Sequence, residues 1–401
     1  MKNKTSLLKL ALEKSKGVLR LFPNWVPRFF CIPGRRLKLH PDDYYAFGAH
    51  RGGIDERWFA STIKADNGPE TLKDEGLSYI YIEDGARKEK ILLKEAIQLM
   101  GDSIIGSDLM DKEGGWPMYS KFFDNLEPLP LHLHQNNEFA AKVGQKGKSE
   151  GYYFPTQLNN HPGYFPHTYF GLNPGTTKDD VKTCLKNWNK GDNGILYLSK
   201  AYKLKLGTGW DVAPGILHAP GSLLTYEPQS ASDVFSMFQS LTWNKFIPRD
   251  LLIKDVPTEH ANDLDYIIDM IDWELNLDPE FHKNRFLEPK TIRPLEEMRE
   301  NGYEEYSIIY NSEFFSAKQL TIFPGESVEI KENGAYGLIT IQGRGKFGKV
   351  DIESPAMIRF GEMTQDELFV CYDAARDGIL IENPSKHDNL VMLKHFGPLI
   401  K

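Results

Sequence analysis

Three cysteines in 401 residues are few, and Cys31, Cys184 and Cys371 stand far apart with no CxxC spacing. That pattern excludes a disulfide scaffold and a thiolate metal cluster, and it points to free thiols in a reducing compartment, the cytoplasm. Long apolar runs are missing as well. The N-terminal SLLKLALEKSKGVLRLF spaces its apolar residues helically but is broken by lysines and a glutamate. It lacks the apolar core of a signal peptide and is too short to span a membrane. Positive charge is in deficit, since 48 Lys and Arg against 56 Asp and Glu leave a net charge of −8. Broad binding to nucleic acid or to an anionic membrane requires the opposite balance. There is no low-complexity segment, and composition is silent on oligomeric state.

What the chain does have is an ordinary globular composition, 40% hydrophobic and 26% charged, and enough length to bury a sizeable core. Residues 5–22 read as an amphipathic helix with Leu8, Leu12, Leu19 and Phe22 among its apolar positions. KEKILLKEAIQLMG reads as a second helix, closed by Gly101. Between residues 119 and 240, β-prone runs such as PLHLHQ, EGYYFP and SLLTYE alternate with Gly and Pro turns, the pattern of a sandwich or barrel. One helix, TTKDDVKTCLKNWNKG, interrupts them and is capped by Thr177. Residues 246–300 turn helical, with Leu264, Ile267, Ile268, Ile271 and Leu275 on one stripe of a helix starting at Pro257 and Thr258. From residue 305 strand signals return and continue to the end.

The expected organisation is therefore mostly β with helical additions. Residues 1–45 form an N-terminal helix and connector, 46–245 a metal-binding β unit, 246–304 a helical connector, and 305–401 a second β-sandwich without metal ligands. His260, His282, His387 and His395 are isolated and read as packing or surface residues.

The chemistry concentrates in residues 129–150, LPLHLHQNNEFAAKVGQKGKSE. His132 and His134 are two apart, so on an extended strand both imidazoles face one way and supply half of a divalent-metal site. Lys148 and Glu150 repeat the spacing after a turn-prone interval holding Gly144 and Gly147. A hairpin would return an ammonium and a carboxylate beside the imidazoles. APGILH then supplies His218 after a Pro214–Gly215 turn. Glu138 competes with Glu150 as the carboxylate ligand, because it completes a His-x-His-x3-Glu spacing. Gln135, Asn136 and Asn137 are turn-prone, however, and favour Glu150.

The order HLHQNNEFA, GKSEGYY, YFGLNPG and APGILHAPGSLLTYEPQSASDV resembles the type I phosphomannose isomerases, metal-dependent enzymes of the cupin superfamily. IDERWFASTI and WPMYSKFFDNLEPLPLHLH extend the resemblance upstream, so that it covers residues 46–238. It implies two cupin-like jelly rolls, a bound Zn2+ or another divalent ion, and a sugar or sugar phosphate as substrate. Carried across by position, His134, Glu150 and His218 match three of the family's ligands, and His132 stands where glutamine is usual. Lys148 matches the lysine of the Gly-Lys-x-Glu segment, and Glu227, Gln229, Ser232 and Asp233 match a Glu-x-Gln-x-x-Ser-Asp segment. In SDVFSMF, Met237 occupies the place of an arginine that lines the family's active site. Arg51, Lys245 and Arg249 are candidates for that arginine's role.

Aldose–ketose isomerisation needs a Lewis acid on the sugar oxygens and a base beside the carbon. The ion held by His132, His134, Glu150 and His218 meets the first need. Lys148 is the expected base, Glu227 the alternative base or relay, and Gln229, Asp233 and Trp58 are expected substrate contacts. Glu56 and Lys121 belong to the wall or to the packing. Two other classes fit the same ligands: a non-catalytic sugar-binding or regulatory cupin, which Met237 favours, and an Fe(II) oxygenase-like cupin.

Overall fold

A computed structural model describes residues 2–85, 87–159, 165–242 and 245–398. The protein is mostly antiparallel β-sheet with short helices, and four of its sheets stack as layers. The seven-stranded sheet is central and runs in the order Phe286–Leu287, Gly209–Val212, Glu150–Tyr153, Thr225–Ser230, Met118–Phe123, Ile54–Phe59 and Asn24–Pro27. Nearly every residue of these strands is buried. A sheet covered on both faces leaves no polar alternation to read, and that is the arrangement found here.

One face of the central sheet packs on a nine-stranded sheet built largely from the C-terminal strands Tyr303–Ile309, Ser316–Ile322, Tyr336–Gln342, Glu367–Val370 and Leu390–Phe396. Ile54, Phe59, Phe122, Tyr226, Ile339 and Leu393 form the apolar layer between them. The opposite face looks onto a five-stranded sheet containing His132–Leu133, His218–Ala219 and Ser236–Met237. On the far side of the nine-stranded sheet, Leu320, Leu338, Leu368 and Met392 pack against Phe347, Ile352 and Ile381 of a four-stranded sheet.

Strand alternation assigns neighbouring residues to different layers. Along Met118–Phe123 and Thr225–Ser230, Lys121 and Glu227 pair in register and face the five-stranded sheet. Ser120 and Tyr226 face the other way, where His395 Nδ1 lies 2.7 Å and 2.9 Å from their hydroxyls. His395, read from sequence as an isolated histidine, thus joins the two large sheets from a fully buried position. Arg57 makes a second tie across the same interface, gripping both carboxylate oxygens of Asp366 at 2.7 and 2.8 Å.

Several sequence expectations are corrected here. The helix expected over residues 5–22 is Lys2–Ser15, and Val18–Phe22 is instead a strand pairing with Glu367–Val370 and Tyr79–Asp84. Gly17, at φ 80°, closes the helix, and the following apolar residues gain more from the sheet than from another helical turn. Hydrogen bonding therefore crosses the boundary expected at residue 45. KEKIL belongs to the strand Arg87–Leu92, and the helix from Leu93 breaks at Met100 (φ −146°, ψ 37°), just before Gly101, and then resumes to end at Gly106. Gly101 has no room for a Cβ because the Met110 side chain lies against it. The helix expected from Thr258 is a 3-10 turn, Thr258–His260, followed by two short helices, Leu264–Asp269 and Trp273–Asn276. Asp263 and Asp272 break it by accepting bonds from backbone N–H groups as caps. The inserted helix is Lys178–Lys186, with Thr177 and Asp180 forming a reciprocal capping box.

Two outcomes follow from the ties between the large sheets. Replacing Arg57 with Met leaves the buried Asp366 without its partner and is expected to lower stability by about 3–5 kcal/mol in urea denaturation. Burial pulls the His395 pKa down to about 3 from 6.5. The unfolded chain therefore binds the proton more tightly, and the stability contributed by neutral His395 is present above pH 6.5 and lost as pH falls toward 3. A His395→Asn variant should show a stability–pH slope shallower by up to about 1.4 kcal/mol per pH unit over that window.

Candidate metal centre

The strand His132–Leu133 lies between His218–Ala219 and Ser236–Met237, with His218 and Met237 each directly opposite His132. Directly opposite residues share a face, so the two imidazoles and the Met237 side chain look the same way. His134, two residues on, joins them. The ring centroids are 4.3 Å (His132–His218), 5.0 Å (His134–His218) and 5.1 Å (His132–His134) apart. One nitrogen from each ring lies within 4.8 Å of the other two. The turn before His218 is held by Gly215, at φ 78°, whose N–H donates to the His134 carbonyl.

Each Nδ1 has a backbone carbonyl for partner: Pro130 for His132 at 2.7 Å, Val234 for His134 at 2.7 Å and Ile216 for His218 at 2.8 Å. A carbonyl can only accept, so every Nδ1 carries the hydrogen and every Nε2 is left with a bare lone pair. This is how proteins orient imidazoles that ligate metals.

Glu150 meets these lone pairs from the facing sheet. The expected hairpin is absent, because Glu150–Tyr153 belongs to the seven-stranded sheet and His132–Leu133 to the five-stranded one. Glu150 Oε1 lies 2.9 Å from His134 Nε2, and Oε2 lies 3.5 Å from His218 Nε2. Lys148 Nζ is 2.8 Å from Oε1, and the Tyr152 hydroxyl donates to Oε2 at 2.9 Å. A carboxylate and a bare imidazole nitrogen repel at that range unless a cation lies between them. A proton does not fill the place at neutral pH, since burial brings His134 down to about 4 despite the attraction of Glu150. His132 is pushed well below its ordinary value, first by burial and then by His218 and His134. Glu150 stays ionised: burial opposes its charge, but His134 and Lys148 outweigh it. The donor set, three imidazoles and one carboxylate, fits a divalent ion such as Zn2+.

Beyond Glu150 the buried charges alternate in sign. Lys121 lies 3.0 Å from Glu227 and 3.7 Å from Glu56. Arg28 lies 3.2 Å from both Glu56 and Asp233. Burial raises the Glu227 pKa and the charge of Glu150 raises it further. Asp233 goes the other way, to about 2, because Arg28 and Lys148 overcome its burial.

Most of the residues singled out from sequence converge here. Gln229 stands directly opposite Glu150, on the same face as Glu227. Asp233 is held by Arg28. Trp58 is sealed in the wall, its indole N–H donating to Glu56 at 2.6 Å and its ring packed on Tyr119. Glu138 does not converge, for it lies on the helix Asn137–Ala141 with its side chain 76% exposed toward Lys142. Of the three stand-ins for the arginine, Arg51 alone is ion-paired among the described residues. Arg51 is clamped on Glu75, Lys245 sits on the carbonyls of Phe29 and Cys31, and Arg249 donates to the Ala261 carbonyl. Sequence reasoning missed Tyr152, Tyr119 and Arg28. Tyr152, two residues after Glu150 on one strand, was within reach of strand parity. Arg28 was not, since its partner Asp233 is 205 positions away.

No protein-family model matches the chain, and no curated protein matches its sequence. Solved structures do match in three dimensions. A putative mannosephosphate isomerase from Archaeoglobus fulgidus is similar at TM-score 0.61 and 13% identity, covering 95% of this chain and 97% of that one. The mannose 6-phosphate isomerase from Bacillus subtilis is similar at TM-score 0.61 and 16% identity, covering 95% and 99%. A mannose 6-phosphate isomerase bound with zinc and yttrium is similar at TM-score 0.58 and 12% identity, covering 94% and 99%. Across almost its whole length, this chain has the fold of the mannose 6-phosphate isomerases.

Proposed function

We propose that the protein is a metal-dependent aldose–ketose isomerase acting on a sugar or sugar phosphate. The observation that carries the reading is the set of three bare Nε2 atoms converging on the ionised carboxylate of Glu150, inside a fold shared with mannose 6-phosphate isomerases. His132, His134, His218 and Glu150 would hold Zn2+, which one solved neighbour contains, or another divalent ion. When bound, such an ion supplies Lewis acidity toward negative charge building on the sugar oxygens.

The remaining work falls to groups of the chain itself. Lys148 and Glu227 are the residues that would take the proton from the carbon beside the carbonyl and return it to the neighbouring carbon. Lys148 lies against Glu150, and burial together with the charge of Glu150 raises the proton affinity of Glu227 above that of an ordinary carboxylate. Gln229 would touch substrate directly, with both its amide atoms buried and unpartnered. Asp233 acts through Arg28, and Trp58 through Glu56, which it orients. The facing sheets support two cupin-like jelly rolls, with 46–245 carrying the metal and 305–401 acting as scaffold. Three buried free thiols support a cytoplasmic location, and no described helix is long and apolar enough to cross a membrane. Met237, apolar and directly opposite His132, is the observation that favours a non-catalytic sugar-binding module instead.

Two measurements decide the matter. Zinc-loaded protein incubated in D2O with free sugars and their 6-phosphates is expected to place deuterium at C2 of the product, and chelation should abolish the exchange. Silence across the whole panel would remove the isomerase reading. Lys148→Ala is expected to lower kcat by about 10²–10⁴-fold, while full turnover would show that the base lies elsewhere.

A further inference from the structure

We propose that the site takes an uncharged aldose or ketose, held through neutral hydrogen bonds by Gln229 and Tyr119; this rests on the isomerase reading of the same site. Its first support is the absence of any uncommitted buried cation. Six Lys and Arg side chains are buried among the described residues, namely Arg28, Arg51, Arg57, Lys121, Lys148 and Lys394. Each is paired with a buried carboxylate, in order Glu56, Glu75, Asp366, Glu227, Glu150 and Glu305. Lys254, partly buried beside Asp233, is shared between Asp66 and Asp255. A phosphate monoester carries a charge of about −1.5 to −2 at neutral pH. To bind here it would have to draw one cation off its carboxylate and leave that carboxylate buried and alone. The position directly opposite His132 offers nothing in exchange, because Met237 fills it with an apolar side chain.

The second support is a row of unpartnered neutral groups. Gln229 is directly opposite Glu150 on one neighbouring strand and directly opposite Tyr119 on the other. The three side chains therefore share one face of the central sheet, running from the carboxylate beside the imidazoles to an amide and then a phenol. Gln229 Oε1 and Nε2 and the Tyr119 hydroxyl are buried without any hydrogen-bond partner. Folded proteins leave few buried polar groups unpaired, and those that remain call for a ligand or water. Vicinal sugar hydroxyls each donate and accept. They match an amide, which does both, and a phenol, which does either.

The test pairs binding with exchange. Zinc-loaded protein is titrated calorimetrically with mannose, glucose and fructose and with the 6-phosphate of each, and deuterium exchange is followed on the same samples. Each free sugar that binds is expected to do so at least tenfold more tightly than its phosphate. Tyr119→Phe deletes a hydroxyl that has no partner in the fold, so the thermal midpoint should hold or rise while sugar affinity falls about tenfold. Gln229→Leu should behave likewise. Tighter binding of the phosphates, no binding of any free sugar, or unchanged affinity in Tyr119→Phe overturns the inference. Preferential exchange of a sugar phosphate overturns it while leaving the isomerase reading intact. Free-sugar binding without exchange supports it and removes the isomerase reading alone.

Discussion

Hydrogen bonds from Nδ1 of His132, His134 and His218 to the carbonyls of Pro130, Val234 and Ile216 orient the candidate site. A carbonyl cannot donate, so each bond settles the tautomer of its ring and turns the opposite nitrogen, unprotonated, toward the same place. Burial lowers the proton affinity of His132 and His134, and Glu150 arrives ionised among them. The combination of bare nitrogen lone pairs and a carboxylate at 2.9 Å is unfavourable in an empty fold and favourable around a cation.

The layered sheets convert strand parity into a division of labour. On a strand covered on both faces, each successive residue serves a different layer. Lys121 and Glu227 belong to the charged wall of the candidate metal centre, while Ser120 and Tyr226, adjacent in sequence, hold His395 of the nine-stranded sheet. The C-terminal half thereby fixes the strands that carry Glu227, Gln229 and Lys121. Its own strand Leu390–Phe396 repeats the device, sending Lys394 to Glu305 and Glu332 on one side and His395 to the central sheet on the other.

Much of this was legible before any coordinates. His132 and His134 two apart, and a histidine after a Pro-Gly turn, are local patterns with a local geometric meaning, and all three imidazoles do converge. The mostly β architecture followed equally from the density of short runs between turn residues. Local rules failed where distant partners decided the outcome. Val18–Phe22 reads as the continuation of a helix because its apolar spacing permits one, and only pairing with Glu367–Val370 makes it a strand. Glu138 fits a spacing rule perfectly well and still points to solvent, because Asn136 caps a short helix that carries it away.

By itself, the order of residues determined which chemistry was available: three imidazoles, several carboxylates and lysines, no surplus of positive charge, and a methionine in place of a guanidinium. The tertiary structure alone decided which of those groups meet. It brought Glu150 in from the facing sheet rather than from a neighbouring strand, joined Arg28 to Asp233 across 205 residues, and committed every buried Lys and Arg among the described residues to a carboxylate. The physical reason is range. Turn preference, parity and capping act over a few residues, whereas a charge removed from water is stable only beside its opposite, and which opposite that is depends on how the layers close.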